Sequence, residues 1–91
     1  MYLVRSTQGY RKAYKRVSRQ QGFDQKLLDE IIDTLSRDEA LDPRYQDHQL
    51  TGELGNAREC HLKHNLLLAY EKHDDILVLL LIDIGTHDDV F

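Results

Sequence analysis

Residues 57–91, ARECHLKHNLLLAYEKHDDILVLLLIDIGTHDDVF, decide the fold of this chain. Short apolar runs alternate here with turn residues of the His, Asn and Asp type, which predicts strands at residues 58–62, 66–72 and 76–84. The intervening turns, 63–65 and 73–75, are short enough to connect antiparallel neighbours. The segment therefore predicts a three-strand antiparallel meander.

The first of these strands carries two different sets of side chains, because successive side chains of a strand point to opposite faces. Cys60 and Leu62 fall on the face predicted to cover the core. Glu59 and His61 fall on the other face. His87 follows the third strand and His48 precedes the first, in the loop 45–55, so both can meet His61 at the rim of the sheet.

Two amphipathic helices are predicted upstream of the meander. The first starts near Gln8, and its apolar stripe at helical spacing consists of Tyr10, Ala13, Tyr14 and Val17. Asp24 is the predicted cap of the second, whose stripe consists of Phe23, Leu27, Leu28, Ile31, Ile32 and Leu35. Residues 2–4 predict a short strand at the edge of the meander. We therefore expect an α+β fold with a short N-terminal strand, a helical hairpin and the meander, both helices lying on one face of the sheet.

Length and composition indicate one small domain. A chain of 91 residues with 41% hydrophobic content is expected to form a single domain, residues 1–91. No apolar run reaches the roughly 18 residues of a membrane helix, and the N-terminus lacks the apolar segment of a signal peptide. The single cysteine, Cys60, excludes an internal disulfide and is expected as a buried thiol. We therefore expect a cytoplasmic protein with no membrane contact.

Charge is distributed unevenly along the chain. The net charge of -4 argues against a protein that coats nucleic acid. Residues 1–21 nevertheless contain six basic residues and no acid, whereas residues 46–91 contain nine acids and three basic residues. The first helix carries five of the cations: Arg11, Lys12, Lys15, Arg16 and Arg19. Such a face can orient the molecule on a phosphate-rich partner, and it suits a solvated helix surface equally well.

His48, His61 and His87 are the candidate catalytic residues. Imidazole exchanges a proton near neutral pH, so two imidazoles on either side of a phosphate can serve as base and acid. RNA cleavage by an internal hydroxyl needs such a pair, because the 2′-hydroxyl loses a proton and the departing 5′-oxygen gains one. Arg58 and Lys63 could supply a cation for the charge that develops on the phosphorus centre.

A metal site is the alternative use of these histidines. Asp47, Glu59 and Asp88 could complete one, yet the chain has no HExxH or CxxC motif and no closely spaced ligand pair. A P-loop, a GxGxxG and a GxSxG motif are also absent from the sequence. We expect no metal and no other cofactor.

Three ordered stretches, YQDHQLTG at 45–52, RECHL at 58–62 and IGTHDDVF at 84–91, resemble the signature of the YafQ branch of the RelE/ParE toxin superfamily. The resemblance implies a RelE-like fold and the toxin of a bacterial type II toxin-antitoxin pair, silenced by a cognate antitoxin protein. It implies an mRNA interferase, an endonuclease that cuts translated mRNA in the A site of the 70S ribosome without a metal or a small-molecule cofactor.

The resemblance also implies roles for individual residues. His48 resembles a general base, His87 a general acid and His61 an imidazole that positions the scissile phosphate, although the three could exchange duties. The substrate-binding positions are then Glu59, Asn65 and the terminal aromatic Phe91, and Arg58, proposed above for its charge, is expected to bind the substrate with them. Asn65 departs from the pattern, because this branch usually has an aspartate there, and a carboxylate would favour a protonated histidine nearby. The cations of the first helix become the expected ribosome-docking residues.

A non-catalytic toxin is the competing interpretation. A ParE-type relative that poisons gyrase, or a decayed toxin that only binds its antitoxin, would share the scaffold without needing the histidines. The presence of His48, His61 and His87 together favours the nuclease.

Overall fold

The computed structural model describes residues 1–51, 56–63 and 65–90. The elements are β1 (Leu3–Ser6), α1 (Gln8–Val17), α2 (Gln25–Ser36), a 3-10 turn (Pro43–Tyr45), β2 (His48–Gln49), β3 (Arg58–His61), β4 (Leu67–His73), β5 (Val78–Gly85) and α3 (His87–Val90). The strands form one sheet in the order β1-β5-β4-β3-β2. The expected α+β architecture, with its helical hairpin and its meander, is confirmed.

The sheet joins the two ends of the chain. β1 runs parallel to β5, whereas β2, β3, β4 and β5 pair with their neighbours in antiparallel fashion. The N-terminal strand therefore lies at the edge of the meander, as its sequence predicts. None of the helices in the described part of the chain is long and apolar enough to cross a membrane.

Side-chain caps begin both long helices. The Thr7 hydroxyl accepts a hydrogen bond from the Tyr10 amide at 3.0 Å, and the predicted cap Asp24 accepts one from the Leu27 amide, also at 3.0 Å. These bonds satisfy amides that have no partner inside the helix. The helices bury their apolar stripes against the sheet, in a core formed by Tyr10, Ala13, Val17, Leu28, Ile31, Leu35, Cys60, Leu68, Tyr70, Leu79, Leu81 and Ile84.

The predicted start of the third strand is wrong. Ile76 and Leu77 lie in the turn that joins β4 to β5, and they are 65% and 54% exposed. Leu77 has a φ of 53°, which extended backbone does not adopt, so the strand begins at Val78 instead. The apolar run is longer than the strand because its first two residues reverse the chain.

The loop prediction around His48 is also wrong in part. His48 and Gln49 form β2, a two-residue strand that is exposed on both faces and pairs with β3. The Leu50 amide continues this pairing with a 2.9 Å hydrogen bond to the Ala57 carbonyl. The strand is defined by its backbone pairing with β3 and not by an apolar face, so its side chains show no apolar alternation. Residues 52–55 of the predicted loop lie outside the described residues.

Strand β3 positions the side chains of the site. Cys60 is fully buried among the core residues and is in register with Leu68 of β4. Because side chains alternate along a strand, Glu59 and His61 point to the opposite face, as expected. The buried thiol predicted for Cys60 is confirmed.

Candidate functional site

The pairing of β2 with β3 brings His48 and His61 to the same carboxylate. His48 is in register with Glu59. The Glu59 Oε1 atom lies 3.6 Å from Nε2 of His48 and 3.4 Å from Nε2 of His61. The two imidazole rings have their centroids 6.0 Å apart. Three of the predicted site residues therefore form one cluster, which we call the His-Glu-His cluster.

Glu59 is the buried member of this cluster. Its side chain is 4% exposed, against 48% for His48 and 35% for His61. Its second oxygen, Oε2, is buried and makes no hydrogen bond to any described residue. A buried charge needs a cation or a metal beside it to offset the lost hydration. The two imidazoles stand where such a partner is needed.

A backbone carbonyl fixes the tautomer of His48. The Nδ1 atom lies 2.7 Å from the carbonyl oxygen of Gln46. A carbonyl oxygen can only accept, so Nδ1–H donates and the neutral ring has its lone pair on Nε2. Gln46 itself has a φ of 51° and ends the 3-10 turn, which aims its carbonyl at the ring. The nitrogen of His48 that can take up a proton is thus the one beside Glu59.

Arg58 lies outside this cluster, although the sequence predicts it as a substrate-binding residue. It shares a face of β3 with Cys60, and its guanidinium binds the Asp47 carboxylate, with Nε–Oδ1 and Nη2–Oδ2 distances of 3.4 and 3.2 Å. The Tyr70 hydroxyl also donates to Asp47. Burial and this hydrogen bond raise the pKa of Tyr70, so its hydroxyl keeps the proton. Asp47 is therefore held from two sides.

His87 and Asn65 lie at one end of the sheet. His87 begins α3, two residues beyond Gly85, the last residue of β5. Gly85 pairs with Leu67 of β4, and Leu67 pairs in turn with His61 of β3. Asn65, exposed in the β3–β4 turn, lines a cavity of about 220 Å³ together with Thr86. The fold thus places His87 at the sheet end that carries His61. Phe91 lies outside the described residues.

The basic residues predicted for ribosome docking are all on exposed positions of α1 or just after it. Arg16 forms a 3.2 Å ion pair with Asp89 of α3, and Arg11 donates to the Ser6 carbonyl at 2.7 Å. The Thr86 amide and the Arg16 guanidinium hold the pKa of Asp89 below its usual value. This pair links the cationic helix to the element that begins with His87. Lys63, the other predicted cation, pairs with Asp24 at 3.1 Å.

The His-Glu-His cluster also has the donor set of a transition-metal site. One ligand atom from each of His48, Glu59 and His61 lies within 4.8 Å of the others. Two imidazole nitrogens and a carboxylate oxygen suit Zn²⁺ or Cu²⁺. The metal alternative drawn from the sequence included Asp47, which here is bound by Arg58 and Tyr70 instead.

Comparison with known families identifies the scaffold. The model for YafQ, a bacterial toxin of a type II toxin-antitoxin system, matches residues 2–91. The chain belongs to the YafQ toxin family. It is a type II toxin by descent, and the family predicted from its three motifs is confirmed. Comparison with curated protein sequences finds no match.

Solved structures agree with this assignment. A metal-bound toxin from Helicobacter pylori is 36% identical, with a TM-score of 0.92, and 100% of each chain is covered. A copper-bound L66S mutant toxin from the same organism is 35% identical, with the same TM-score and coverage. The YafQ chain of the E. coli DinJ-YafQ complex is 22% identical, with a TM-score of 0.86, covering 100% of this chain and 99% of that one. At this lower identity the E. coli structure shows the fold, and the expected RelE-like fold is confirmed.

Sequence reasoning missed the supporting residues of this YafQ-family site. The Gln46 carbonyl could not be found, because it acts through the backbone. For Asp47 the sequence suggests a role only as a metal ligand. Tyr70 gave one signal, since a tyrosine in a core strand must find a partner for its hydroxyl.

Proposed function

We propose that this toxin is a ribosome-dependent mRNA endonuclease that inhibits translation in the cytoplasm, with a cognate antitoxin as its inhibitor. The observation that carries the proposal is the His-Glu-His cluster on a YafQ-family scaffold. Two half-exposed imidazoles beside a buried carboxylate provide proton exchange at a surface that a nucleic acid can reach.

In the proposed mechanism, Nε2 of His48 removes the proton of a 2′-hydroxyl. The 2′-oxygen attacks the adjacent phosphorus, the bond to the 5′-oxygen breaks, and His87 donates the proton that the leaving oxygen needs. The products are a 2′,3′-cyclic phosphate and a free 5′-hydroxyl. The fixed tautomer of His48 supports its role as base, because the lone pair is on the nitrogen that faces the cluster.

His61 and Glu59 are proposed to stabilise the transition state. Protonated His61 would donate to a phosphate oxygen as charge builds there, while Glu59 stabilises the imidazolium from 3.4 Å. Each general acid or base of this kind contributes roughly 10²- to 10⁴-fold in rate. Asn65 and Phe91 are proposed to orient the substrate, whereas Arg58 acts through Asp47.

Docking on ribosomal RNA is assigned to the exposed cations of α1, with Lys15 as an example. The net charge is negative, so a localised basic face is the part of the surface suited to phosphate. The antitoxin is proposed by analogy with the E. coli DinJ-YafQ complex. Such a partner would raise the stability of the toxin by mass action, because it binds the folded state.

Induction followed by primer extension on one translated message tests this function. The wild-type toxin should produce cuts at codon-phased positions, and His48→Ala and His87→Ala should lose most of them. His73→Ala is the matched control, because His73 pairs with Glu71 at the far end of β4. Cuts of equal strength in all four proteins would refute the assigned roles. Toxicity without any cuts would point to a gyrase-type target instead.

We also propose that a transition metal inhibits the reaction rather than assisting it. The similar H. pylori structures are described as metal-bound and copper-bound, and here the ligand atoms would include Nε2 of His48. A metal on that lone pair removes the base. Micromolar Zn²⁺ should slow cleavage in a translation extract and a zinc-selective chelator that leaves Mg²⁺ in place should restore it, with Glu59→Gln reducing the sensitivity. Faster cleavage with Zn²⁺ would contradict this reading.

A further inference from the structure

We propose that Tyr70 is a positioning residue for His48, acting through the Asp47 carboxylate. Tyr70 is fully buried in the middle of β4 and is in register with Arg58 of β3. Its hydroxyl donates to Asp47, and the Arg58 guanidinium binds both oxygens of the same carboxylate. Asp47 directly precedes His48, so the core of the protein holds the residue next to the proposed base.

Strand β2 needs this support because it has no buried face to pack against the core. It consists of His48 and Gln49, it is exposed on both faces, and it forms the edge of the sheet. Short edge strands with no apolar face gain little from packing and open readily. The Asp47 carboxylate is the side-chain anchor at the start of this strand.

The position of His48 is sensitive to that anchor. Its ring faces Glu59 only while β2 stays paired with β3, and its tautomer depends on the carbonyl of Gln46, the residue before Asp47. A hydrogen bond to a charged group shifts a local equilibrium by roughly 10- to 100-fold. Loss of the Tyr70 hydroxyl should therefore increase the open population of β2 by about tenfold or more.

The core face of β3 thus also contributes to the proposed site, by holding strand β2 in place. Glu59 and His61 lie on the proposed substrate face, while Arg58 and Tyr70 on the core face fix the strand that carries the third member of the cluster. The inference rests on the proposed function for its effect on catalysis, and on geometry alone for its effect on β2.

Tyr70→Phe is the test, because it removes the hydroxyl and keeps the ring in the core. Tyr10→Phe is the matched control, since Tyr10 is also a buried core tyrosine but lies in α1. Amide hydrogen exchange at Leu50, which bonds to the Ala57 carbonyl, reports the opening of β2. We expect it to rise about tenfold in Tyr70→Phe and to stay unchanged in Tyr10→Phe.

Exchange in β4 and β5 separates local opening from general loss of stability. Faster exchange confined to β2 supports the proposal. Faster exchange throughout the sheet, or no change at Leu50, overturns it. Because this measurement needs no cleavage, it decides the positioning role even if the toxin proves not to be a nuclease.

Cleavage kinetics then test the consequence for the reaction. Tyr70→Phe should lower the single-turnover cutting rate by about tenfold or more with little change in the ribosome concentration that gives half-maximal rate. In an Asp47→Ala background the same change should have little further effect, because the path through Asp47 is already broken. Full additivity of the two changes, or an unchanged cutting rate, would overturn the role of Tyr70.

Discussion

Replacing Glu59 with methionine should stabilise the folded toxin while abolishing the cleavage activity proposed for it. Glu59 is 3% exposed and its Oε2 atom makes no hydrogen bond to the described residues. A buried polar atom without a partner costs about 1–3 kcal/mol of folding free energy. Methionine has a similar length and would lie beside Ala69, the β4 residue in register with position 59. The substitution removes the carboxylate beside His48 and His61, but both imidazoles are half-exposed and stay in contact with water. No unpaired charge is therefore left in the interior.

Thermal unfolding monitored by circular dichroism at neutral pH measures this effect. A gain of 1 kcal/mol corresponds to about 4–8 °C in Tm for a domain of this size. We therefore expect Glu59→Met to melt about 4 °C or more above the wild type. Glu71→Met is the matched control and should show no such gain, because the Glu71 carboxylate has a partner in His73 at 2.7 Å. A lower Tm for Glu59→Met, or an equal rise in both variants, would refute the argument that Glu59 is retained at a cost.

Further predictions concern the core and the helix cap. Burial raises the pKa of the Cys60 thiol to about 12, so a thiol reagent at mildly alkaline pH should label the unfolded but not the native protein. The hydrogen bond from the Leu27 amide lowers the pKa of Asp24. The ionised carboxylate therefore stabilises the folded state above the pKa of the unfolded chain, about 4, and this contribution is lost as the pH falls through the lower pKa of the folded state. Asp24→Asn should make stability fall less steeply with decreasing pH in the acid range. Leu28 is 1% exposed, so Leu28→Ala should lower the free energy of unfolding by about 2–5 kcal/mol. Urea unfolding measures this loss, and the dependence of the unfolding free energy on urea concentration should stay equal to that of the wild type.

Alternation along β3 is the feature that sequence predicts best. The opposite placement of Cys60 and His61 follows from the covalent geometry of an extended chain, and the structure buries the first and leaves the second half-exposed. The start of β5 could not be predicted in the same way. Ile76 and Leu77 are as apolar as the strand that follows them, and only the positive φ of Leu77 reveals the turn.

Contacts between residues that are distant in sequence are the part of the site that could not be predicted from the sequence pattern. Arg58 stands beside Glu59 in the chain, and its positive charge makes it a candidate ligand for phosphate. In the structure its guanidinium binds Asp47, and Tyr70 reaches the same carboxylate from another strand. These three residues meet only once the register of β2, β3 and β4 is set.

That register is itself fixed from the core side. Cys60 and Leu68 are opposite one another and both belong to the core cluster, so a slip of one residue along β3 would turn Cys60 out of that cluster and point His61 toward it. The apolar residues of β3 and β4 therefore specify where Glu59 and His61 point, without any contact to a substrate. The face that carries Glu59 and His61 also has buried apolar residues, because Leu67 and Ala69 of β4 lie in register with His61 and Glu59. A four-residue strand can in this way contribute Cys60 to the core and present Glu59 and His61 for the chemistry proposed above.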